Sequence, residues 1–134
     1  MLRVKVPQGV LDAAQLIALA DVGDRWSRGF GHITTRQNVQ FHFVQPHDVE
    51  KVMRLVAEAG HTTREACGSS VRNITGCPVS GLAANELFDS TPVVEAATAE
   101  FYGNPAWANL PRKHKYSIAS CPDRCNAPEI NCVS

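Results

Sequence analysis

Leu2-Arg3-Val4-Lys5-Val6 alternates apolar and basic residues with strict period two, and related patterns return at Thr34–Val44 (TTRQNVQFHFV) and Lys113–Ile118 (KHKYSI). Successive side chains of an extended strand point to opposite faces, so a half-buried strand writes this alternation. Each stretch therefore predicts a strand with one core face and one donor face. Arg3 and Lys5 point together, as do Arg36, Asn38, Gln40 and His42, and as do Lys113 and Lys115. If the three strands share a sheet, their donor faces build a concentrated cationic surface suited to a polyanionic ligand. Val39, Phe41 and Phe43 are the expected core face of the second stretch.

Between these strands the apolar period changes to that of a helix. Pro7-Gln8-Gly9 is a turn signal. Asp12 with Gln15 fits a capping box, and Leu16, Ile17, Leu19 and Ala20 supply an apolar stripe, which predicts a helix over about 12–26. Pro46 opens a second helix with Asp48 and Glu50 in its first turn, where they suit the dipole. There Val49, Val52, Met53 and Val56 form the stripe, and Gly60 is the stop. The order is β-α-β-α with the second strand segment divisible in two. This predicts an α+β protein that opens as a ferredoxin-like α/β sandwich with both helices on one side of the sheet.

From Thr62 the composition shifts. Thr62–Cys77 is rich in Gly, Ser, Thr and Arg, as an irregular loop or a ligand-facing strand would be. Thr91-Pro92 starts a third helix that runs to about Tyr102, with Pro at a favoured first-turn position. Residues 1–60 thus read as one half-domain, and 61–134 as the opening of a second α+β lobe. The first strand begins at the second residue and the last residues carry no closing element, so the chain reads as a fragment.

The bulk properties exclude several classes. The chain has 134 residues, 44% of them hydrophobic and 19% charged, with zero formal net charge. That is an ordinary globular composition, and it lacks the basic excess of a nucleic-acid or anionic-membrane binder. No apolar run approaches a membrane span, and Met1–Lys5 lacks the apolar core of a signal peptide, so the expected compartment is the cytoplasm. Five cysteines in that compartment point to metal or redox roles more than to disulfides. Cys121 and Cys125 form a C-x3-C pair, a spacing that suits an iron–sulfur or haem-thiolate half-site and equally describes two free thiols.

Each basic pattern has a plain alternative. Arg3 and Lys5 match a solvated edge strand. Arg36, Asn38, Gln40 and His42 are harder to read so, because four successive outward positions offer donors with no acid among them. Arg112-Lys113-His114-Lys115 also fits an exposed basic turn. Arg72 lies in Gly68-Ser69-Ser70-Val71-Arg72-Asn73, where small residues let a bulky ligand approach the backbone. The histidines show no metal-binding spacing, and His42 and His114 read as surface or packing residues.

Taken together and in order, Met1–Pro7 (MLRVKVP), Thr34–His42 (TTRQNVQFH), Val71–Ile74 (VRNI) and Leu110–Lys115 (LPRKHK) resemble the N-terminal half of the sirohaem-dependent nitrite and sulfite reductases. The resemblance covers nearly the whole chain. It implies a six-electron reduction of nitrite to ammonia or sulfite to sulfide, at sirohaem coupled to a 4Fe–4S cluster, with ferredoxin or a flavoprotein as donor and neither nucleic acid nor membrane as partner. By resemblance Arg3, Arg72, Lys113 and Lys115 hold the anion and assist proton delivery, while Thr34, Arg36, Gln40 and Arg112 contact the sirohaem carboxylates. Cys121 and Cys125 are the candidate metal ligands. In the family, however, the cluster cysteines lie in a pseudo-two-fold-related second half, as C-x5-C and C-x3-C, and Cys67 and Cys77 do not supply C-x5-C. The implied picture is an N-terminal piece, inactive alone, whose cluster requires the second half. The alternatives are a tetrapyrrole-modifying enzyme of corrin (precorrin-type) biosynthesis in the same family, an iron–sulfur electron carrier without tetrapyrrole that uses Cys67, Cys77, Cys121 and Cys125, and an inactive half-protein.

Overall fold

The computed structural model describes residues 1–134 and divides into two compact units, Met1–Val6 with Leu11–Thr63, and Pro7–Val10 with Arg64–Ser134. Its elements are β1 (Leu2–Val4), α1 (Ala13–Trp26), β2 (His32–Ile33), β3 (Val39–Phe41), α2 (Val49–Glu58), β4 (Thr75–Gly76), α3 (Thr91–Phe101) and β5 (Ser117–Ile118). The protein is α+β, as its sequence pattern predicts. No helix is long and apolar enough to cross a membrane.

In the first unit β3 pairs antiparallel with both neighbours, giving the order β1-β3-β2. The predicted capping box is present. Asp12 accepts the Gln15 N–H at 2.8 Å, and the Gln15 side chain accepts the Asp12 N–H at 3.1 Å. Leu2, Val4, Leu19, Val22, Phe41, Val52 and Val56 form one buried cluster, each worth about 1.5–3 kcal/mol relative to exposure. After α2 the chain returns to the outer side of the first strand, where Lys5 donates its N–H to Thr62 O at 2.9 Å. His61 is buried beside this return.

The apolar stripes differ from expectation in detail. On α1 the core positions are Leu19, Val22 and Gly23, whereas Leu16 and Ile17 are exposed. Leu16, with Phe30 and Ile33, lines an open apolar groove instead. On α2 Val52 and Val56 are buried and Met53 is exposed. Phe43, assigned to the core face, has a left-handed φ of 67° and lies at the surface with the Arg28 guanidinium 3.8 Å from its ring centroid.

The largest departure concerns the second basic stretch. Thr34–Val44 is not one strand but the end of a hairpin. Thr34 Oγ1 accepts the N–H groups of Arg36 (3.3 Å) and Asn38 (3.2 Å), and Gln37 takes a left-handed φ of 56°. A threonine hydroxyl that captures amides two and four residues on competes with extended pairing, which is why the alternation misleads here. Arg36 therefore sits in the turn, Asn38 is buried, and the four donors do not share a face. Lys113–Ile118 lies outside this sheet altogether, so the three basic stretches do not form one sheet.

In the second unit β4 and β5 run parallel, with Thr75 opposite Ser117 and Gly76 opposite Ile118. Pro7–Gly9, read from sequence as a simple turn, is a buried peg of this unit. Gln8 has a left-handed φ of 58°. Its N–H reaches Ile74 O at 3.0 Å, and its Nε2 donates to Cys77 O, Ser90 Oγ and Thr91 Oγ1 at 3.3–3.4 Å. Gly76 makes room for it, since a Cβ there would stand 2.5 Å from Gln8 Cγ.

Gly76→Ala is accordingly expected to cost about 1–3 kcal/mol by overpacking, read as a lowered urea midpoint. Burial holds the His61 imidazole below its ordinary pKa, with Asp12 pulling the other way. The unfolded chain therefore takes up the His61 proton at a higher pH than the folded one does. Stability from this group is complete above about pH 6.5, the unfolded value, and is lost as pH falls through the lower folded value. Urea midpoints measured between pH 7.5 and 5 should fall less steeply in His61→Gln than in the parent chain.

Candidate functional site

The candidate basic residues divide between the two units, so each set stands by itself. In the first unit Arg3 and Gln40 are cross-strand partners on β1 and β3. With its amide oxygen turned toward β1, Gln40 accepts from Arg3 Nε at 2.8 Å and also from Nη2. Thr34 is committed to the hairpin turn through its hydroxyl, and its own N–H donates to Asn38 O at 3.0 Å. Arg36 is half-buried in that turn. Lys5 alternates with Arg3 as expected but is almost wholly buried, with 1% exposure, so the anticipated Arg3/Lys5 surface reduces to Arg3. The segment from Thr34 to Gln45 contains no acidic residue. Guanidinium and amide N–H groups in such a segment can pair directionally with carboxylate oxygens.

In the second unit a parallel backbone ladder joins Ser69–Gly76 to Leu110–Ile118. Leu110 N–H reaches Ser69 O at 2.8 Å, His114 N–H reaches Ser70 O at 3.1 Å, Arg72 N–H reaches His114 O at 2.9 Å and Thr75 N–H reaches Tyr116 O at 3.2 Å. Ser69 and Ser70 are adjacent, whereas their partners Leu110 and His114 are four apart. Pro111, Arg112 and Lys113 must therefore loop out, and all three are exposed. On the far side of the ladder Lys115 O accepts the N–H groups of Cys132 (2.9 Å) and Val133 (3.1 Å). The ladder brings Arg72 beside the segment that carries Lys113 and Lys115. Arg112 and Lys113 belong to a bulge rather than to the predicted strand, which is regular only over Ser117–Ile118.

The Arg72 guanidinium is anchored on its own loop. Nη2 donates to Gly68 O at 2.9 Å, and Nη1 donates to Ala66 O. Glu65 (φ 58°) and Gly68 (φ 80°) turn the chain back so that these carbonyls face the guanidinium. A planar fork suits two carbonyls in a way that a lysine ammonium does not. Arg72→Lys is therefore expected to speed amide exchange across 66–70, and Arg72→Ala to cost about 1.5–3 kcal/mol, read by hydrogen exchange and urea unfolding.

The cysteines are arranged differently from their spacing. Cys121 and Cys77 are buried, whereas Cys125, Cys67 and Cys132 are exposed. Burial pushes the Cys77 thiol up, and hydrogen bonds from Ser120, the Val79 backbone and Cys121 outweigh it, so the thiol sits below its ordinary pKa. No three His, Cys, Asp or Glu side chains come together as a metal site. A 4Fe–4S cluster takes four thiolates, so the cysteines of this chain, two buried and three exposed, do not by themselves fit one.

The chain is an α+β protein that opens with a β-α-β-β-α unit and carries two donor-rich segments, one of which includes a basic bulge. Comparison with known proteins then identifies the family. The model described as the nitrite/sulfite reductase ferredoxin-like half domain matches residues 1–59, and that of the nitrite and sulphite reductase 4Fe-4S domain matches 67–134. The chain belongs to the nitrite and sulfite reductase family. It is 38% identical over its whole length to a ferredoxin–nitrite reductase of Leptolyngbya laminosa, of which it covers 27%. It is 36% identical, again over its whole length, to a ferredoxin sulfite reductase of Mycobacterium tuberculosis, of which it covers 24%. The solved structure of the Mycobacterium tuberculosis NirA protein matches 87% of this chain with a TM-score of 0.83 and 35% identity, over 21% of the NirA chain. A dissimilatory sulfite reductase I structure shares the fold at 19% identity and a TM-score of 0.76. The chain thus spans about a quarter of the length of the curated relatives it matches.

His114 and Tyr116 are the site-related residues that the spacing of charges leaves unmarked. The only signal for them in sequence is their alternation with Lys113 and Lys115 (KHKY).

Proposed function

We propose that this chain is the N-terminal piece of a sirohaem-dependent nitrite or sulfite reductase, with residues 1–60 as its ferredoxin-like half-domain and 61–134 as the opening of its sirohaem-binding domain. The observation that carries the reading is the ladder that sets Arg72 beside the looped-out Arg112-Lys113 and Lys115. A stretch with no acidic residue from Ala108 to Ser120 surrounds these basic groups. Arg3, Arg72, Lys113 and Lys115 are the groups assigned to hold the oxyanion and assist proton delivery to its oxygens, the two arginines acting as permanent cations. Fixed positive charge aimed at developing negative charge is commonly the largest catalytic contribution.

Thr34, Arg36, Gln40 and Arg112 are the residues that would hold sirohaem through its carboxylates. When bound, that group supplies the redox centre at which the anion is reduced. In this chain Arg36 and Arg112 provide charge, and Gln40 on the central strand and Thr34 in the hairpin turn provide neutral groups. Cys121 and Cys125 remain candidate ligands of a 4Fe–4S cluster completed by a further half of the enzyme. Electrons come from ferredoxin or a flavoprotein, and the enzyme works in the cytoplasm.

The test is an absorption spectrum of the chain purified from cells that make sirohaem, with iron and sulfide counted. A Soret and a red band without sulfide show that these residues hold the macrocycle. A colourless protein assigns macrocycle binding to a longer chain, and the same spectrum is then taken on the full-length enzyme. In that full-length enzyme Lys113→Ala is expected to lower turnover by about 100-fold with sirohaem content unchanged. Wild-type turnover in this variant would remove Lys113 from the site.

A further inference from the structure

The bulge at Pro111–Lys113 raises a physical problem. Backbone hydrogen bonds between neighbouring segments are the same whichever residues make them, so three looped-out residues leave slack in where the ladder resumes. A slip by one residue in a strand turns every side chain to the other face. Were Lys113 or Lys115 to take the place of His114 opposite Val71, the faces held by His114, Lys115 and Tyr116 would be exchanged. Something carried by the side chains must select the observed register.

His114 is the first residue paired after the bulge, giving its N–H to Ser70 O and accepting Arg72 N–H. Its Nδ1 lies 3.1 Å from the Tyr116 hydroxyl, and the two rings meet edge-on at 5.1 Å. The Tyr116 ring in turn lies flat on Phe101 of α3, with centroids 4.8 Å apart and planes 27° apart. Phe101 is closed on another side by the Trp107 ring, edge-on at 5.1 Å, and Trp107 Nε1 donates to Glu100 at 3.3 Å. Residues two apart on extended backbone share a face, so His114 lies on the face on which Tyr116 meets α3, and Lys115 between them falls on the other. A lysine in the His114 position would offer no ring to Tyr116.

We infer that His114 and Tyr116 are positioning residues of the anion site. Their imidazole–hydroxyl hydrogen bond, seated on Phe101, fixes where the bulge rejoins the ladder and hence how Lys113 and Lys115 stand to Arg72. This inference rests on the anion-site reading above. It adds that the spacing of the basic groups is set from the opposite face of the strand, by residues that touch neither substrate nor macrocycle.

The experiment uses the full-length reductase and compares Tyr116→Phe, His114→Ala, His114→Asn and Lys113→Ala. Tyr116→Phe keeps the ring stack and removes only the hydroxyl. In His114→Asn the side-chain amide stands close to the Nδ1 position and still reaches that hydroxyl. Nitrite and sulfite dissociation constants are titrated together with KM, kcat and thermal midpoints. The expected result is that Tyr116→Phe and His114→Ala weaken anion binding about five-fold, the loss of one hydrogen bond. kcat should stay within about two-fold, and His114→Asn should recover most of the binding. In the 134-residue chain, the His114 imidazole nitrogen shifts should change in Tyr116→Phe. The inference is overturned if Lys113→Ala weakens anion binding while Tyr116→Phe lowers only the thermal midpoint and leaves binding at the parent value. If Lys113→Ala itself binds the anions as the parent does, the anion-site reading falls and the positioning role falls with it.

Discussion

The parallel ladder between Ser69–Gly76 and Leu110–Ile118 organises the second unit, and most of what matters for chemistry hangs from it. It is a small structure, regular only over β4 and β5, yet it joins segments about forty residues apart and seats Val71 opposite His114, with the Arg72 N–H on His114 O. Parallel pairing needs a long crossover between its strands, and here that crossover contains α3. The helix then serves a second purpose, because Phe101 at its end is the surface on which Tyr116 rests. Gln8 closes the arrangement from the chain's N-terminal side, hydrogen-bonded to Ile74 and Cys77 on either side of β4. Removing regularity at Pro111–Lys113 while keeping the ladder on both sides turns a strand into a presented basic loop.

Arginine performs two different tasks in this chain. Arg3 extends along the sheet and finds Gln40 across the strand pair, an arrangement that directs the guanidinium and leaves its charge intact. Arg72 instead folds back on the carbonyls of Ala66 and Gly68. Its charge is fixed by the loop that it stabilises, so that loop and charge are ordered together. Preorganisation of this kind reduces the reorganisation required when an anion arrives. It also means that substitution of Arg72 changes structure and electrostatics at once, whereas Lys113, exposed on the bulge, changes electrostatics alone.

Legibility in the sequence followed the reach of each interaction. The Asp12–Gln15 box was readable because its partners are three residues apart, and the helix it starts runs as expected. The α2 stripe at Val52 and Val56 was readable for the same reason. The hairpin at Thr34–Asn38 was not, because period-two alternation and a threonine-capped turn share the same letters, and the choice between them depends on whether Thr34 Oγ1 captures nearby amides. Lys5 illustrates a different limit. Its alternation with Arg3 holds, but its burial is decided by the return of the chain past Thr62. The C-x3-C spacing of Cys121 and Cys125 likewise said nothing of Cys77, which the fold sets against Cys121.

By itself the sequence determined the α+β class, the helices and their caps, and the four ordered motifs by which the chain belongs with the nitrite and sulfite reductases, because these rest on local periodicity and on residue identity. Only the tertiary structure decided which basic residues are turned outward, that the three basic stretches divide between two sheets, and that His114 and Tyr116 meet over Phe101. Those outcomes depend on backbone pairing between distant segments. Such pairing is indifferent to side-chain chemistry and is selected only when the whole chain packs.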